Sequence, residues 1–298
     1  MAKSEVGPWA KDKLERLGKY LRAYTTIMNK QDWCEGYYYF DAFAGPGEHE
    51  FRSGTQARRQ TLDWLLPDVA SVAQSDDEQR EYLSGSPRVA LDVEPPFTQY
   101  VFIERSPSRV RELEQLRTEY GSRRSIAIRQ EDCNEYLRRV IPTIDWRARR
   151  ALAFLDPFGM QVPWDTLIAL AHTKGIEVFL NFPDGMAIQR LLPRDTTKIT
   201  QQRRAMLDKY FGSPEWYDVV YRKEKTLFGE EQDTKIKKSG QRLVKWYRNR
   251  LKNEFGYASK AALITNTRGN DLYYILLASP KKTGVKIADY ILSAGTWV

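Results

Sequence analysis

Short apolar runs that each close on an acid or an amide punctuate the chain. Y-Y-Y-F-D spans 37–41, Y-V-F-I-E spans 100–104, A-L-A-F-L-D spans 151–156 and I-E-V-F-L-N spans 176–181. Continuous apolar runs of this length are the signature of strands buried on both faces, as in a parallel sheet covered by helices. Strands are therefore predicted at the first run and near 99–104, 125–130, 151–155 and 176–181. Between them the period changes to that of helices. Leu14, Leu17, Leu21 and Tyr24 mark an amphipathic helix over 8–30, and Pro163 opens another at about 164–173. Ser86 and Pro87 read as an N-cap with proline in the first turn, which places the first crossover helix at 87–94. Near the end, 261–266 and 272–278 form a strand pair joined through R-G-N, inside a C-terminal segment of strands and a helix over 257–298.

Two segments interrupt this alternation. Residues 48–84 are polar and too long for an ordinary loop, so they are expected to be an insertion or lid. Residues 190–255 form a basic, mostly helical addition. The whole, 1–298, is expected to be one domain.

The strand ends carry the candidate chemistry. After Asp41 come Phe43, Ala44, Gly45, Pro46 and Gly47, a small-residue turn where backbone can approach a ligand closely; the same string also fits an ordinary strand-to-turn boundary. Glu104 ends the second strand, where a carboxylate can accept from both hydroxyls of a ribose; an acid there also suits a helix cap or a solvated strand end. Asp132 follows the third strand, either facing an exocyclic amine or capping the next helix with Glu135 three residues on. Asp156, Pro157, Phe158 and Gly159 follow the fourth; the same residues also suit a plain turn.

In this order the motifs resemble the class I S-adenosylmethionine-dependent methyltransferases. D-A-F-A-G-P-G, G-S-P at 85–87, F-I-E, F-L-D-P-F-G, N-F-P at 181–183, the K-L-E-R-L-G-K-Y-L helix and the L-Y-Y-I-L-L-A-S-P strand are similar to the three-Cys-motif partner family. That likeness spans nearly the whole chain except 48–84 and 190–255. It implies an α/β, Rossmann-like fold: a mostly parallel seven-stranded sheet with an antiparallel terminal strand, plus helical insertions. It also implies that Asp41, Phe43, Ala44, Gly45 and Gly47 hold the methionine part of S-adenosylmethionine, Glu104 its ribose and Asp132 its adenine. Asp156, Pro157 and Phe158 would then bind the group to be methylated, with Gly159 and Asn181 lining the same pocket. The family takes its name from a neighbouring three-cysteine protein, which is a possible partner.

Composition narrows the class. The 298 residues carry a formal charge of +8, which favours an anionic partner, nucleic acid in the first place. Two cysteines and two histidines leave little for a metal centre, and no metal is expected. The first helix carries Lys and Arg throughout, against a signal peptide or a membrane span; the expected compartment is the cytoplasm. The charge is uneven: 221–252 contains eleven Lys or Arg against four acids. Within it, Leu243, Trp246, Tyr247 and Leu251 share one helical face while Lys245, Arg248 and Arg250 lie around the rest. Those three are candidates for phosphate contacts; the alternative is a helix with its aromatics in the core and its basic residues in water.

Methyl transfer from a sulfonium asks mainly for positioning. In that role Asp156 accepts one hydrogen of a base amino group, the Pro157 carbonyl the other, and Phe158 stacks on the base. Asp-Pro-Phe-Gly lacks the second proline of the adenine-modifying motif and resembles the version that methylates guanine N2 of transfer RNA, so the base stays open. The leading expectation is a nucleobase amino methyltransferase on DNA or RNA. The alternatives are a non-catalytic subunit serving a three-Cys-motif partner, and a methyltransferase of a small molecule or protein.

Overall fold

The computed structural model describes residues 8–45, 85–225, 230–266, 268–293 and 296–297. Gly47 and the 48–84 insertion lie outside them. In chain order the main elements are α1 (Pro8–Met28), β1 (Gly36–Asp41), α2 (Ser86–Leu91), β2 (Gln99–Ile103), α3 (Pro107–Tyr120), β3 (Ile126–Arg129), α4 (Cys133–Val140), β4 (Arg149–Leu155), α5 (Trp164–His172) and β5 (Ile176–Phe182). Then follow α6 (Gln201–Phe211), α7 (Trp216–Val220), β6 (Tyr221–Lys225), β7 (Glu231–Lys235), α8 (Ser239–Phe255), β8 (Tyr257–Ala258), β9 (Ala262–Thr265), β10 (Asp271–Ser279), α9 (Lys282–Leu292) and β11 (Thr296–Trp297).

The principal sheet runs β11-β9-β10-β5-β4-β1-β2-β3, with β8 paired to β10. The pairs of β1 with β2 and β4, of β2 with β3 and of β4 with β5 are parallel, whereas β10 joins β5 and β9 antiparallel. This is the expected α/β, Rossmann-like fold with a mostly parallel sheet and an antiparallel terminal strand. Its sheet has nine strands rather than seven among the described residues, because the two-residue β8 and β11 extend the terminal hairpin.

Side-chain alternation along the strands splits the core in two. Phe40, Val101, Ile103, Ala153, Leu155 and Val178 face α4, α5, α6 and α8. Tyr39, Tyr100, Phe102, Leu152, Phe154 and Phe179 face α1, α2, α3 and α9. Leu17 and Leu21 anchor α1 to the second layer, each fully buried and worth about 1.5–3 kcal/mol of transfer free energy.

Two details differ from expectation. Ser86 is the first residue of α2 rather than its cap; Gly85 holds that place and α2 ends at Leu91. The approach of α1 explains the glycine: a Cβ at Gly85 would lie 2.7 Å from Leu14 Cδ1. The basic addition is not helical throughout, since β6 and β7 form a hairpin within it. Alternating charged residues on β6 and β7 hide this hairpin from a hydrophobic reading.

Candidate functional site at the carboxyl edge of the sheet

The carboxyl ends of β1, β4 and β5 meet at one buried polar group, and the end of β2 stands beside the turn after β1. Strand β1 delivers Asp41, fully buried, whose Oδ2 accepts from the Tyr39 hydroxyl at 3.1 Å. The Ala42 amide donates to the Phe154 carbonyl and the Ala44 amide to the Ile103 carbonyl, which stitches the following turn to the neighbouring strand ends. Gly45 closes the described part of this turn at φ 61°, a backbone state that glycine adopts without a Cβ clash.

Glu104 stands beside this turn and holds it. Its Oε2 accepts from the Gly45 amide at 3.1 Å, its Oε1 from the Ser106 amide at 2.8 Å, and the Arg109 guanidinium lies 3.5 Å from Oε2. Each oxygen has a second lone pair for a further donor. Asp132 caps α4: Oδ1 accepts from the Asn134 and Glu135 amides at 2.9 and 3.1 Å, and Arg105 lies 3.6 Å from Oδ2. A cavity of about 350 Å³ opens beside it, lined by Asn134, Met160, Gln161, Met206 and Tyr210 among others. The basic addition thus supplies one wall of a cavity at the strand ends.

The end of β4 holds the densest chemistry. Asp156 is buried, and both of its oxygens are engaged: Oδ1 accepts from Asn181 Nδ2 at 2.7 Å and Oδ2 from Lys13 Nζ at 2.5 Å. Asn181 therefore buttresses Asp156 directly. Pro157 is buried; Phe158 is half-buried, with its amide bound to Gln161 Oε1 and the Arg109 guanidinium 5.7 Å from its ring centre. Gly159 is buried near Ala187.

Lys13 is the residue that sequence reading missed. It lies on α1 with no exposed surface, 5.1 Å from the ring centre of Tyr273 and 5.9 Å from that of Phe154. Burial lowers its pKa to about 7, against the opposing pull of Asp156 and Asp41. Burial likewise raises the Asp41 carboxyl to about 7, opposed by bonds from Ser86 and Tyr39. A signal for Lys13 was present: it falls four residues before Leu17, on the buried stripe of α1.

Among the described residues, Asn181 Oδ1 is buried here without a hydrogen bond, and Asp41 Oδ1 and Ser86 Oγ face one another without good hydrogen-bond geometry. Buried polar atoms are normally paired, and leaving one unpaired costs about 1–3 kcal/mol. Asn181 Oδ1 at the strand ends can still accept from a ligand.

The basic helix α8 corrects an expectation. Leu243, Tyr247 and Leu251 are buried and Trp246 packs on Phe211, so its aromatic face belongs to the core. Arg248 donates to the Ser259 and Ala258 carbonyls. Arg250 donates to the Phe211 carbonyl and is stacked between Trp164 and Trp246 at 4.1 and 4.9 Å. These two guanidinium groups fix the addition to the fold and are not presented as phosphate contacts; Lys245 is exposed. No helix among the described residues is long and apolar enough to cross a membrane.

No family model and no curated protein matches this chain. Among solved structures it is similar to the protein LPL1258 of Legionella pneumophila str. Philadelphia 1, of the family DUF519. The two share 13% identity over 98% of this chain and 94% of that one, with a TM-score of 0.51. It is also similar to magnesium protoporphyrin IX methyltransferase of Synechocystis PCC 6803 with bound S-adenosylmethionine, at 10% identity, 93% and 86% coverage and a TM-score of 0.33. The N-terminal domain of EvdMO1 with bound S-adenosylhomocysteine gives 10% identity, 88% and 80% coverage and a TM-score of 0.36. The first likeness is one of fold alone; the other two, at lower TM-scores, decide nothing.

Proposed function

We propose that this chain is an S-adenosylmethionine-dependent methyltransferase acting on a nucleobase amino group of DNA or RNA. The observation that carries this reading is the buried Asp156 at the end of β4, followed by Pro157 and Phe158 and set against the end of β1. The residues fit the cofactor: the Gly45 turn and the buried carboxyl of Asp41 suit the cationic methionine part. Glu104 has lone pairs left for a ribose diol, and the cavity beside Asp132 has room for an aromatic base. S-adenosylmethionine supplies a methyl group already activated on a sulfonium. The protein's task is orientation. Asp156 and the Pro157 carbonyl accept the two hydrogens of an acceptor amine, and Phe158 offers a half-buried ring for stacking. An acceptor inside a duplex must be flipped out to reach them.

One observation favours a second reading. Asp156 already has both oxygens bonded, to Lys13 and Asn181, as in a site kept for architecture. That suits a non-catalytic subunit that binds cofactor or nucleic acid for a three-Cys-motif partner protein.

Calorimetric titration of S-adenosylmethionine into the purified chain, followed by transfer of labelled methyl to plasmid DNA and total RNA, separates the readings. Micromolar binding is expected. Asp156→Asn is expected to lower transfer by roughly 100-fold or more, the scale for losing a well-placed electrostatic partner of the reacting group, with binding changed far less. A fully active Asp156→Asn protein removes Asp156 from the reaction. Tight cofactor binding without transfer, even with the partner supplied, leaves the non-catalytic reading.

A further inference from the structure

Lys13 joins two elements that the sequence keeps far apart, α1 and the end of β4. Around its Nζ stand Asp156 and the Phe154 ring from β4, Asp41 from β1 and the Tyr273 ring from β10. Asn181 of β5 reaches it through Asp156, and Ser86 of α2 faces Asp41. On α1 itself, Asp12 is taken by Arg16 at 2.9 Å. Among the described residues, the charged groups of the immediate shell are one ammonium and two buried carboxylates, with formal charge −1 when all three are ionised.

Into this shell the proposed function brings a further cation. S-adenosylmethionine carries a sulfonium, an ammonium and a carboxylate, so its net charge is +1. A cation brought beside the Lys13 ammonium raises the electrostatic cost of keeping its proton, because like charges at short range repel strongly in a poorly polarisable medium. Loss of one proton to solvent returns the shell to −1. Only N–H bonding changes: the Lys13 ammonium becomes an amine and its proton goes to bulk water.

We propose, resting on the methyltransferase reading above, that Lys13 is a displaceable counter-ion: it holds Asp156 in the free protein and gives up its proton when the cationic cofactor is bound, which hands Asp156 Oδ2 to the acceptor amine. Lys13 is thus a positioning residue, acting through Asp156. This also resolves the objection that both oxygens of Asp156 are occupied. In the free protein Lys13 Nζ sits where an acceptor N–H would be received, and a neutral amine yields that place more easily than an ammonium.

The test reads the Lys13 proton without any acceptor. The full chain is labelled with ¹³C at the lysine ε-carbons, and the Lys13 resonance is assigned by its loss in Lys13→Arg, or in Lys13→Gln should the arginine variant not fold. In the free protein the signal is expected to titrate near pH 7, where burial places it. With S-adenosylmethionine at saturation, checked by calorimetry, the midpoint is expected to fall by roughly one pH unit or more, a tenfold loss of proton affinity. S-adenosylhomocysteine, which lacks the sulfonium charge, is expected to move it less. Lys13→Arg, which stays charged, is expected to weaken S-adenosylmethionine binding by about tenfold and to weaken S-adenosylhomocysteine binding less. An unchanged midpoint with bound cofactor overturns the proposal, as does a Lys13 that titrates with the ordinary lysines in the free protein. Failure of S-adenosylmethionine to bind in calorimetry is a separate result: it removes the methyltransferase reading and this inference with it.

Discussion

Two buried acidic clusters hang from the same helix, and they are built differently. One is Glu177 on β5: its Oε2 accepts from the Tyr20 hydroxyl at 2.6 Å and its Oε1 from the Ser279 hydroxyl at 2.7 Å. A Cβ at Gly284 of α9 would lie 2.5 Å from Oε1, so glycine there lets α9 close over the carboxyl. Both oxygens have partners, both donors are neutral, and three elements, α1, β10 and α9, are fastened to β5. The other cluster joins Lys13 to Asp156 and Asp41 at the strand ends, with Asn181 Oδ1 left without a hydrogen bond among the described residues and Asp41 Oδ1 met by Ser86 only in poor geometry. Burial alone does not separate architecture from function, since both groups are buried. Saturation does. A closed set of hydrogen bonds fixes a fold, while a set with open valences beside a charged pair is poised to take a ligand.

The largest expected effect lies in the closed cluster. Glu177→Ala leaves the Tyr20 and Ser279 hydroxyls without their buried acceptor, at about 1–3 kcal/mol for each group so stranded. A loss of roughly 3 kcal/mol is expected in urea unfolding, with the affinity for S-adenosylmethionine in the surviving folded protein unchanged. A strong drop in affinity with little loss of stability would erase the distinction between the clusters.

The open cluster is expected to show itself through pH. The folded pKa of Asp41 is raised from 3.8 to about 7. The folded protein therefore holds this proton more tightly than the unfolded chain does. The stabilisation is full at pH below the unfolded value and is lost as pH rises through about 7. Asp41→Asn removes the titration while keeping the shape. The stability of Asp41→Asn relative to wild type is accordingly expected to rise between pH 4 and 7, read from paired denaturation curves. A flat difference across that window means that Asp41 titrates as an ordinary carboxyl.

Strands β1, β2, β4 and β5 were legible because each is buried on both faces: a continuous apolar run needs no partner in order to be read. The same holds for the order Asp41, Glu104, Asp132, Asp156 along the sheet edge, which follows from strands that each end on an acid. Lys13 was not legible as a partner of Asp156, because 143 positions separate them and a lone lysine in a charged helix reads as solvated. The dual use of Asp132 was open in the sequence, and its capping bonds to Asn134 and Glu135 are what the fold displays. The hairpin of β6 and β7 was lost among charges, since its stability comes from docking beside α7 and not from apolar alternation. Arg248 and Arg250 misled for a related reason: the carbonyls they bind belong to Phe211, Ala258 and Ser259, residues whose position only the tertiary fold determines.

Those two arginines extend the same criterion from acids to bases and give the smallest expected effect. Their donors are occupied by main-chain carbonyls, and Arg250 is further enclosed by two tryptophans. Reversing either charge would strand buried carbonyls, so any loss of nucleic-acid binding by such variants would report on folding. Lys245, on the exposed face of the same helix, is the base left over by this argument. Lys245→Glu is expected to leave the unfolding midpoint in place, as surface substitutions commonly stay within about 0.5 kcal/mol. If α8 meets phosphate, the same substitution weakens binding of a fluorescein-labelled single-stranded oligonucleotide and lowers its salt slope by about one. Fluorescence anisotropy across a salt series reads both quantities. An unchanged slope returns α8 wholly to the core and moves the search for the anionic partner's footprint to Arg105 and Arg109, which stand at the strand ends beside Asp132 and Glu104.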